Sequence, residues 1–244
     1  MKIISAEEVH AALSYPALVD ALEEAYAGKF SMPPRQVFLL DPEGGKNDAF
    51  AVLPSWSDEF IGVKSFTYFP EATEPHKSLY SKIMLFDREH GEPLALVDGT
   101  TVTFWRTAGI SGLATRLLAR EDASSLLVLG TGNLSSYMIL ANASVRPLTK
   151  VMVWGRNPEK AAAVIAQVSG QLPDIEFSVV EDREAACGEA DIVVAATGSH
   201  EPVVLGDWIK PGTHTDFIGN HHATKRECDS ALITKSKVYA DSYV

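Results

Sequence analysis

Two glycines separated by one residue follow a short apolar run and precede a segment that is compatible with a helix. The run ends at Leu129, and Gly130, Gly132 and Ser135 occupy the three small positions of a Gly-x-Gly-x-x-small pattern. Such a turn lets the backbone approach a pyrophosphate, and the N-terminus of the next helix offers free N–H groups and a positive dipole. The pattern predicts a dinucleotide site, with an ordinary strand-to-helix turn as the alternative. The predicted cofactor contacts in this loop are Gly130, Thr131, Gly132, Asn133 and Leu134.

A second apolar run, Val151 to Trp154, begins about twenty residues further on, where a dinucleotide-binding fold usually has an Asp or Glu for the ribose hydroxyls. No carboxylate stands there. An Arg offers a planar donor fork that suits the oxygens of a 2′-phosphate. We therefore expect NADPH as the cofactor, with NADH possible, although Arg156 could also be a solvated loop cation. The predicted contacts on this side are Gly155, Arg156, Asn157 and Lys160.

Length and composition describe an ordinary globular protein. The 244 residues suggest two domains, and 46% of them are hydrophobic. The net charge of −11 argues against nucleic acid and anionic membranes as partners. The sequence has no run of eighteen apolar residues and no apolar core of a signal peptide near its start, so we expect a cytoplasmic protein. Cys187 and Cys228 have no spacing typical of a disulfide framework or a zinc site, and no metal is predicted.

The first part of the chain predicts two short helices followed by a sheet. Ser5 and Glu8 fit a capping box, and a second helix is expected from Ser14 to Gly28. Turn clusters then separate short β-like runs, which indicates an antiparallel or mixed sheet. The expected strands are Val37–Leu40, Ala49–Leu53, Ile61–Phe69, Lys82–Phe86 and Leu94–Val97.

A long connecting helix is expected from Thr101 to Arg120, and strands alternate with helices beyond it. Such alternation is typical of a parallel, doubly wound sheet. We therefore predict an α/β protein with two domains. Residues 1–120 are expected to form an N-terminal α+β domain, to which the resemblance described below assigns substrate binding and dimerisation, and residues 121–244 a Rossmann-type dinucleotide-binding domain. A last strand is expected over Lys237–Val244.

Several separate segments, in the same order, resemble the ornithine cyclodeaminase and mu-crystallin family over nearly the whole chain. The matching segments are Met32–Arg35, Gly62–Thr67, Gly91–Gly99, Arg106–Ala108, Val151–Asn157, Ala195–Thr197, Pro211–His214 and Arg226–Asp229. The resemblance implies a first domain that dimerises through its sheet, a Rossmann domain, and a final helix that returns to the first domain. This C-terminal return helix is expected to be absent here, since the sequence stops at the predicted last strand.

The family's substrate site maps onto three cations of this sequence, Arg35, Lys64 and Arg106. The resemblance implies that they hold a substrate carboxylate, and the chemistry agrees, because a carboxylate favours a bidentate Arg with a second cation beside it. Lys64 lies inside an apolar strand, where an unpaired charge is costly. The resemblance also implies further cofactor contacts, at Ser78, Arg106, Thr197, Ile218 and Gly219.

One departure separates this sequence from the cyclodeaminases. They carry an acid–base Asp after the segment that ends at Gly219, whereas the aligned residue here is His221. The sequence is more similar to the branch that reduces the cyclic imino acids Δ1-pyrroline-2-carboxylate and Δ1-piperideine-2-carboxylate with NAD(P)H, giving proline and pipecolate. Lys64 and His221 are the catalytic candidates, and Lys64, His221 or a water could protonate the ring nitrogen.

Three functions stay open at this point. Besides the reductase, the sequence could belong to an ornithine or lysine cyclodeaminase with tightly held NAD, or to a mu-crystallin-like protein that binds NADPH and a hydrophobic ligand. In each case the partners expected are a small ligand and a second copy of the chain.

Overall fold

The computed structural model describes residues 1–219 and 225–241. The chain divides into two compact units, Met1–Arg106 and Thr107–Val244. The division falls inside the long helix α3 (Gly99–Leu118), whereas the sequence analysis places the boundary after residue 120. The reason is that Val102 and Trp105, early in α3, pack on the first unit, while later residues of the helix form hydrogen bonds within the second.

The first unit contains a six-stranded mixed sheet. Its order is β1-β6-β5-β4-β3-β2, and every neighbouring pair is antiparallel except β1 and β6. Two helices precede the main run of strands. The elements are β1 (Lys2–Ile4), α1 (Ala6–Ala12), α2 (Tyr15–Ala27), β2 (Gln36–Leu39), β3 (Ala49–Trp56), β4 (Phe60–Tyr68), β5 (Leu79–Asp87) and β6 (Pro93–Asp98).

The two faces of this sheet differ in their covering. On one face, a small core centred on Val9, Ala95 and Val97 joins β5 and β6 to α1 and α3. Because side chains alternate along a strand, the register places another set on the opposite face. Among the described residues, those that pack around this small core all lie on the first face or on the elements that cover it. This open face carries Phe50, Val52, Ile61, Val63, Met84, Phe86, Leu94 and Leu96.

The second unit is a five-stranded parallel sheet in the order β11-β10-β7-β8-β9. The order reverses between β7 and β10, as in a Rossmann-type doubly wound fold, so the predicted fold class is confirmed. Helices alternate with the strands. The elements are β7 (Ser125–Leu129), α4 (Ser135–Ala143), β8 (Lys150–Trp154), α5 (Pro158–Val168), β9 (Glu176–Val179), α6 (Arg183–Glu189), β10 (Ile192–Ala195), β11 (His214–Phe217) and α7 (Ser230–Lys235).

Most predicted elements are present, with bounds that shift by a few residues. The capping box at Ser5 forms, because its side chain accepts from the Glu8 amide while the Glu8 carboxylate accepts from the Ser5 amide. Two expectations differ. The short strand β1 was not predicted, and residues 237–241 form no strand, since they pair with no neighbouring strand. Within the described residues, no helix is long and apolar enough to cross a membrane.

Candidate active site

The turn after β7 requires glycine at its first position. Gly130 has φ of 124°, and a Cβ added there would come within 2.5 Å of the Ala196 carbonyl oxygen. Ser135, the third small position, is fully buried, and its Oγ donates to the Gly130 carbonyl at 2.9 Å. The turn is therefore held between its own helix and the loop that follows β10. A larger residue at either position would displace one of these neighbours.

The second glycine of the turn faces open space. A Cβ on Gly132 would meet nothing within 4 Å, and helix α4 begins without a side-chain cap on its N-terminal amides. Helices α1, α5, α6 and α7 all have such a cap. Uncapped amides beside an open glycine at the carboxyl end of a parallel strand suit a pyrophosphate. The residues present thus fit a dinucleotide.

The loop after β8 lies against the glycine turn. A Cβ on Gly155 would come within 2.4 Å of the Thr131 Cγ2, so a side chain has no room at residue 155. Arg156 is exposed at this edge. The Asn157 Oδ1 accepts from the amides of Glu159 and Lys160 at 2.8 and 3.3 Å, and so caps helix α5. The side-chain oxygen of Asn157 is therefore already bonded to the helix. Arg156 remains the strongest candidate for binding a 2′-phosphate.

Two further predicted cofactor residues lie close together after neighbouring strands. Thr197 follows β10 and Gly219 follows β11, and a Cβ on Gly219 would come within 1.8 Å of the Thr197 carbonyl oxygen. Ile218 continues the strand pairing, since its amide donates to the Ala195 carbonyl. The carboxylate of Glu227, a residue that the sequence analysis did not single out, accepts hydrogen bonds from both loops.

Arg35 and Arg106 both lie within electrostatic reach of Lys64, the third predicted substrate cation. Burial, together with the charges of Arg106 and Arg35, lowers the pKa of Lys64 to about 8. The Lys64 Nζ donates to the Thr103 Oγ1 at 2.7 Å, and that hydroxyl donates to the Gly99 carbonyl at 2.6 Å. Lys64 is half-buried, while Arg35 and Arg106 are exposed. The first unit therefore concentrates positive charge at one point, as binding of a small anion requires.

Thr103 is a residue that the sequence analysis missed. It lies one turn before Arg106 on the predicted helix, and this spacing is the only sequence signal that could have found it. Its pairing with Lys64 spans 39 positions in the sequence, so it depends on how α3 packs against β4.

Two predicted site residues, Ser78 and His221, remain. Ser78 is exposed immediately before β5, and its carbonyl accepts from the Phe69 amide. The catalytic candidate His221 lies outside the described residues.

A Rossmann-type unit with a glycine turn, joined to a sheet unit with clustered cations, defines a class of dinucleotide-dependent protein that acts on small anions. Residues 2–243 match the ornithine cyclodeaminase/mu-crystallin family, and the chain belongs to this family. The predicted resemblance is confirmed.

Several individual members of the family and solved structures are similar to this chain. The chain is 48% identical to a Δ(1)-pyrroline-2-carboxylate reductase of Colwellia psychrerythraea, covering 99% of this chain and 78% of that protein. It is 29% identical to the ketimine reductase mu-crystallin of Mus musculus over 98% of this chain and 77% of that protein. The solved Δ(1)-pyrroline-2-carboxylate reductase of Thermococcus litoralis, in complex with NADH and L-proline, is 32% identical with a TM-score of 0.88, covering 97% of this chain and 74% of that one. A dimeric archaeal alanine dehydrogenase with bound NAD is 27% identical with a TM-score of 0.87, over 97% and 73% of the two chains.

The two glycines of the turn should respond differently to alanine. Gly130→Ala should lower the melting temperature and abolish NADH binding, because its φ and the Ala196 carbonyl exclude a Cβ. Gly132→Ala should leave the melting temperature within error and weaken NADH binding about tenfold or more, because its Cβ would occupy only the space of the ligand. Thermal unfolding and fluorescence titration measure both effects. Unchanged NADH affinity in Gly132→Ala would contradict the assignment of this turn.

Proposed function

We propose that this protein reduces cyclic imino acids with NAD(P)H, converting Δ1-pyrroline-2-carboxylate to proline and Δ1-piperideine-2-carboxylate to pipecolate. The observation that carries the proposal is the cluster of Arg35, Lys64 and Arg106 in a chain whose other unit carries a fitting dinucleotide turn. The identity to pyrroline-2-carboxylate reductases supports the same reaction.

The cluster binds the substrate carboxylate. Burial and the charges of Arg106 and Arg35 make the ammonium form of Lys64 costly, and this cost is visible in its lowered pKa. A bound carboxylate offsets the repulsion, and Arg35 or Arg106 offers two parallel donors to its oxygens. The hydrogen bond from Lys64 to Thr103 fixes the direction of the ammonium group. Clamping the carboxylate in this way orients the ring and its C2 atom.

The chemical step adds one hydride and one proton to the C=N bond, which is a two-electron reduction. A reduced nicotinamide, when bound, would supply a hydride for C2 and would itself be oxidised to NAD(P)+. Protonation of the ring nitrogen converts the imine into an iminium, and addition of the hydride to C2 of this iminium gives the secondary amine. Lys64 can deliver this proton, since an ammonium with a pKa of about 8 is a stronger acid than an ordinary lysine and lies near the operating pH. His221 and a bound water remain the other candidate donors.

A direct assay separates the candidate functions. Loss of the absorbance of reduced nicotinamide upon addition of either cyclic imine supports the reductase. Ammonia release from ornithine or lysine without net consumption of NAD(P)H would instead establish a cyclodeaminase. Tight NADPH binding without turnover of any imine would favour a mu-crystallin-like binding protein.

Lys64→Ala should lower kcat/KM for the imine by about a hundredfold or more while leaving the Kd of NADPH near the wild-type value. The cause is the loss of the clamp and of a candidate proton donor, with the nucleotide turn untouched. Lys46→Ala, on an exposed turn of the same unit, is the matched control and should behave as the wild type. Near-normal turnover in Lys64→Ala would refute the assignment.

The pH dependence of kcat/KM should also reflect the titration of Lys64. The ammonium form of Lys64 is populated below its pKa, so kcat/KM should be highest below about pH 8 and fall as the pH rises through that value. Thr103→Val removes the acceptor of the ammonium group and should move the decline to lower pH. Titration of the substrate itself would give the same midpoint in both proteins, which would contradict the role of Lys64.

We also propose that NADPH is preferred, through Arg156. Arg156→Asp should shift the ratio of kcat/KM for NADPH over that for NADH about tenfold or more toward NADH, because a phosphate–guanidinium contact is replaced by repulsion. Arg88→Asp makes the same charge change in the sheet unit and should leave the ratio unchanged. An unaltered ratio in Arg156→Asp would remove this residue from the 2′-phosphate site.

We further propose that two copies of the chain pair through the open face of the first sheet. Apolar residues from β3, β4, β5 and β6 line this face, and Phe38 and Tyr80 on it are each 49% exposed. A contiguous apolar surface of this kind is typical of an interface. The dimeric state of the related alanine dehydrogenase agrees with it.

Val63→Glu places a charge in the middle of the open face and should convert the protein to a monomer in light scattering at micromolar concentration. Ile233→Glu, which changes an exposed apolar residue on α7, should leave the mass unchanged. A wild-type protein that is monomeric, or a Val63→Glu variant that stays dimeric, would refute this interface.

We place the reaction in the cytoplasm, where NAD(P)H is supplied and thiols remain reduced. Cys187 and Cys228 are both free and buried, which suits that compartment.

A further inference from the structure

One buried carboxylate lies outside the predicted site. Glu227 is 1% exposed, and within residues 1–219 and 225–241 it is the charged residue that the fold buries most completely. Burial raises the pKa of this carboxyl, because an isolated charge is costly away from water. A buried carboxylate persists only where donors surround it. The identity of these donors indicates what the residue does.

All three donors to the Glu227 side chain come from two loops. One carboxylate oxygen accepts from the Thr197 amide at 2.5 Å and from the Thr197 hydroxyl at 2.8 Å. The other accepts from the Gly219 amide at 2.9 Å. The backbone of Glu227 is itself fixed, since its carbonyl accepts from the amides of Val203 and Val204. An anchored carboxylate therefore links the loop after β10 to the loop after β11.

These two loops belong to one half of the dinucleotide site. In a doubly wound sheet the ligand lies at the carboxyl ends of the strands, and the two halves of the sheet on either side of the reversal in strand order each take one half of a dinucleotide. The turns after β7 and β8 carry the glycine turn and Arg156, which suit the pyrophosphate and the adenosine ribose. The loops after β10 and β11 lie beyond the reversal. They are left for the nicotinamide half.

We propose that Glu227 is a positioning residue for the nicotinamide half of the cofactor. It acts through Thr197 and Gly219, by fixing the separation of the two loops, and does not itself contact the cofactor. The proposal rests on the proposed function only in that a nicotinamide dinucleotide binds to this unit. It predicts an effect confined to one half of the cofactor, which a general structural role would not produce.

Glu227→Gln tests the proposal while preserving the size of the side chain. The amide retains one oxygen acceptor, but its NH2 group must face a backbone N–H, so one of the two loops is released. The Kd of NADH and of NADPH should rise about tenfold, whereas the Kd of ADP-ribose, which lacks the nicotinamide ring, should stay within about twofold of the wild type. Isothermal titration calorimetry measures both ligands on the same purified protein.

Asp229→Asn is the matched control. Asp229 lies two residues away and accepts from the amides of Gly206 and Leu232, both at 2.9 Å, so it joins the start of α7 to Gly206 and bonds to neither Thr197 nor Gly219. This variant removes the same charge but keeps an Oδ1 that can accept both hydrogen bonds, so it should leave the ratio of the two dissociation constants unchanged. Should Glu227→Gln fail to fold, Glu227→Asp, whose shorter side chain cannot reach both loops, replaces it.

The outcomes are distinct. Equal weakening of NADH and ADP-ribose in the Glu227 variant, or wild-type affinity for both, would overturn the proposal. A selective loss of NADH affinity supports it, even where the wild-type protein reduces neither imine, since in that case the proposed reaction fails and the positioning role stands.

Discussion

Burial of a lysine beside two like charges in the first unit is the constraint on which the candidate site depends. Lys64 is held half-buried in the middle of β4, and this burial, together with the charges of Arg106 and Arg35, lowers its pKa. A cation held in this way favours a nearby anion, which is the basis of the substrate-binding role that we propose for these residues. The hydroxyl of Thr103, itself bonded to the Gly99 carbonyl, keeps the ammonium group from turning away.

The nucleotide unit meets a different constraint, which is close approach of backbones. Gly130 approaches the loop after β10, Gly155 approaches the side chain of Thr131, and Gly219 approaches the backbone of Thr197. Each contact excludes a Cβ, and together they connect the loops at the carboxyl edge of the sheet in series. The absence of side chains at these points is what lets the loops approach one another so closely.

The sequence predicted those features that are encoded locally. The apolar run before Gly130, the capping box at Ser5 and the alternation of strands and helices each depend on residues a few positions apart, and all are present in the structure. The family resemblance added Arg35, Lys64 and Arg106, and the structure brings them within electrostatic reach.

Features that depend on distant partners could not be predicted in the same way. The strand β1 has only three residues and exists because it pairs with β6, more than ninety positions away. Thr103 and Glu227 are ordinary polar residues in the sequence, and their partners lie 39 and 30 positions away. Only the packing of helix on strand, or of loop on loop, gives these side chains a role.

Helix α3 has a consequence for how the two units can be exchanged between relatives. Thr103 and Arg106 lie on its first half, while Ser111 and Thr115 on its second half bond to Asn142 in the nucleotide unit. A recombination breakpoint at the boundary between the two units, after Arg106, would cut through this continuous helix. It would separate the contacts of the first half of α3 from those of its second half. Hybrid proteins with a transplanted nucleotide unit should therefore retain the whole of α3 from a single parent.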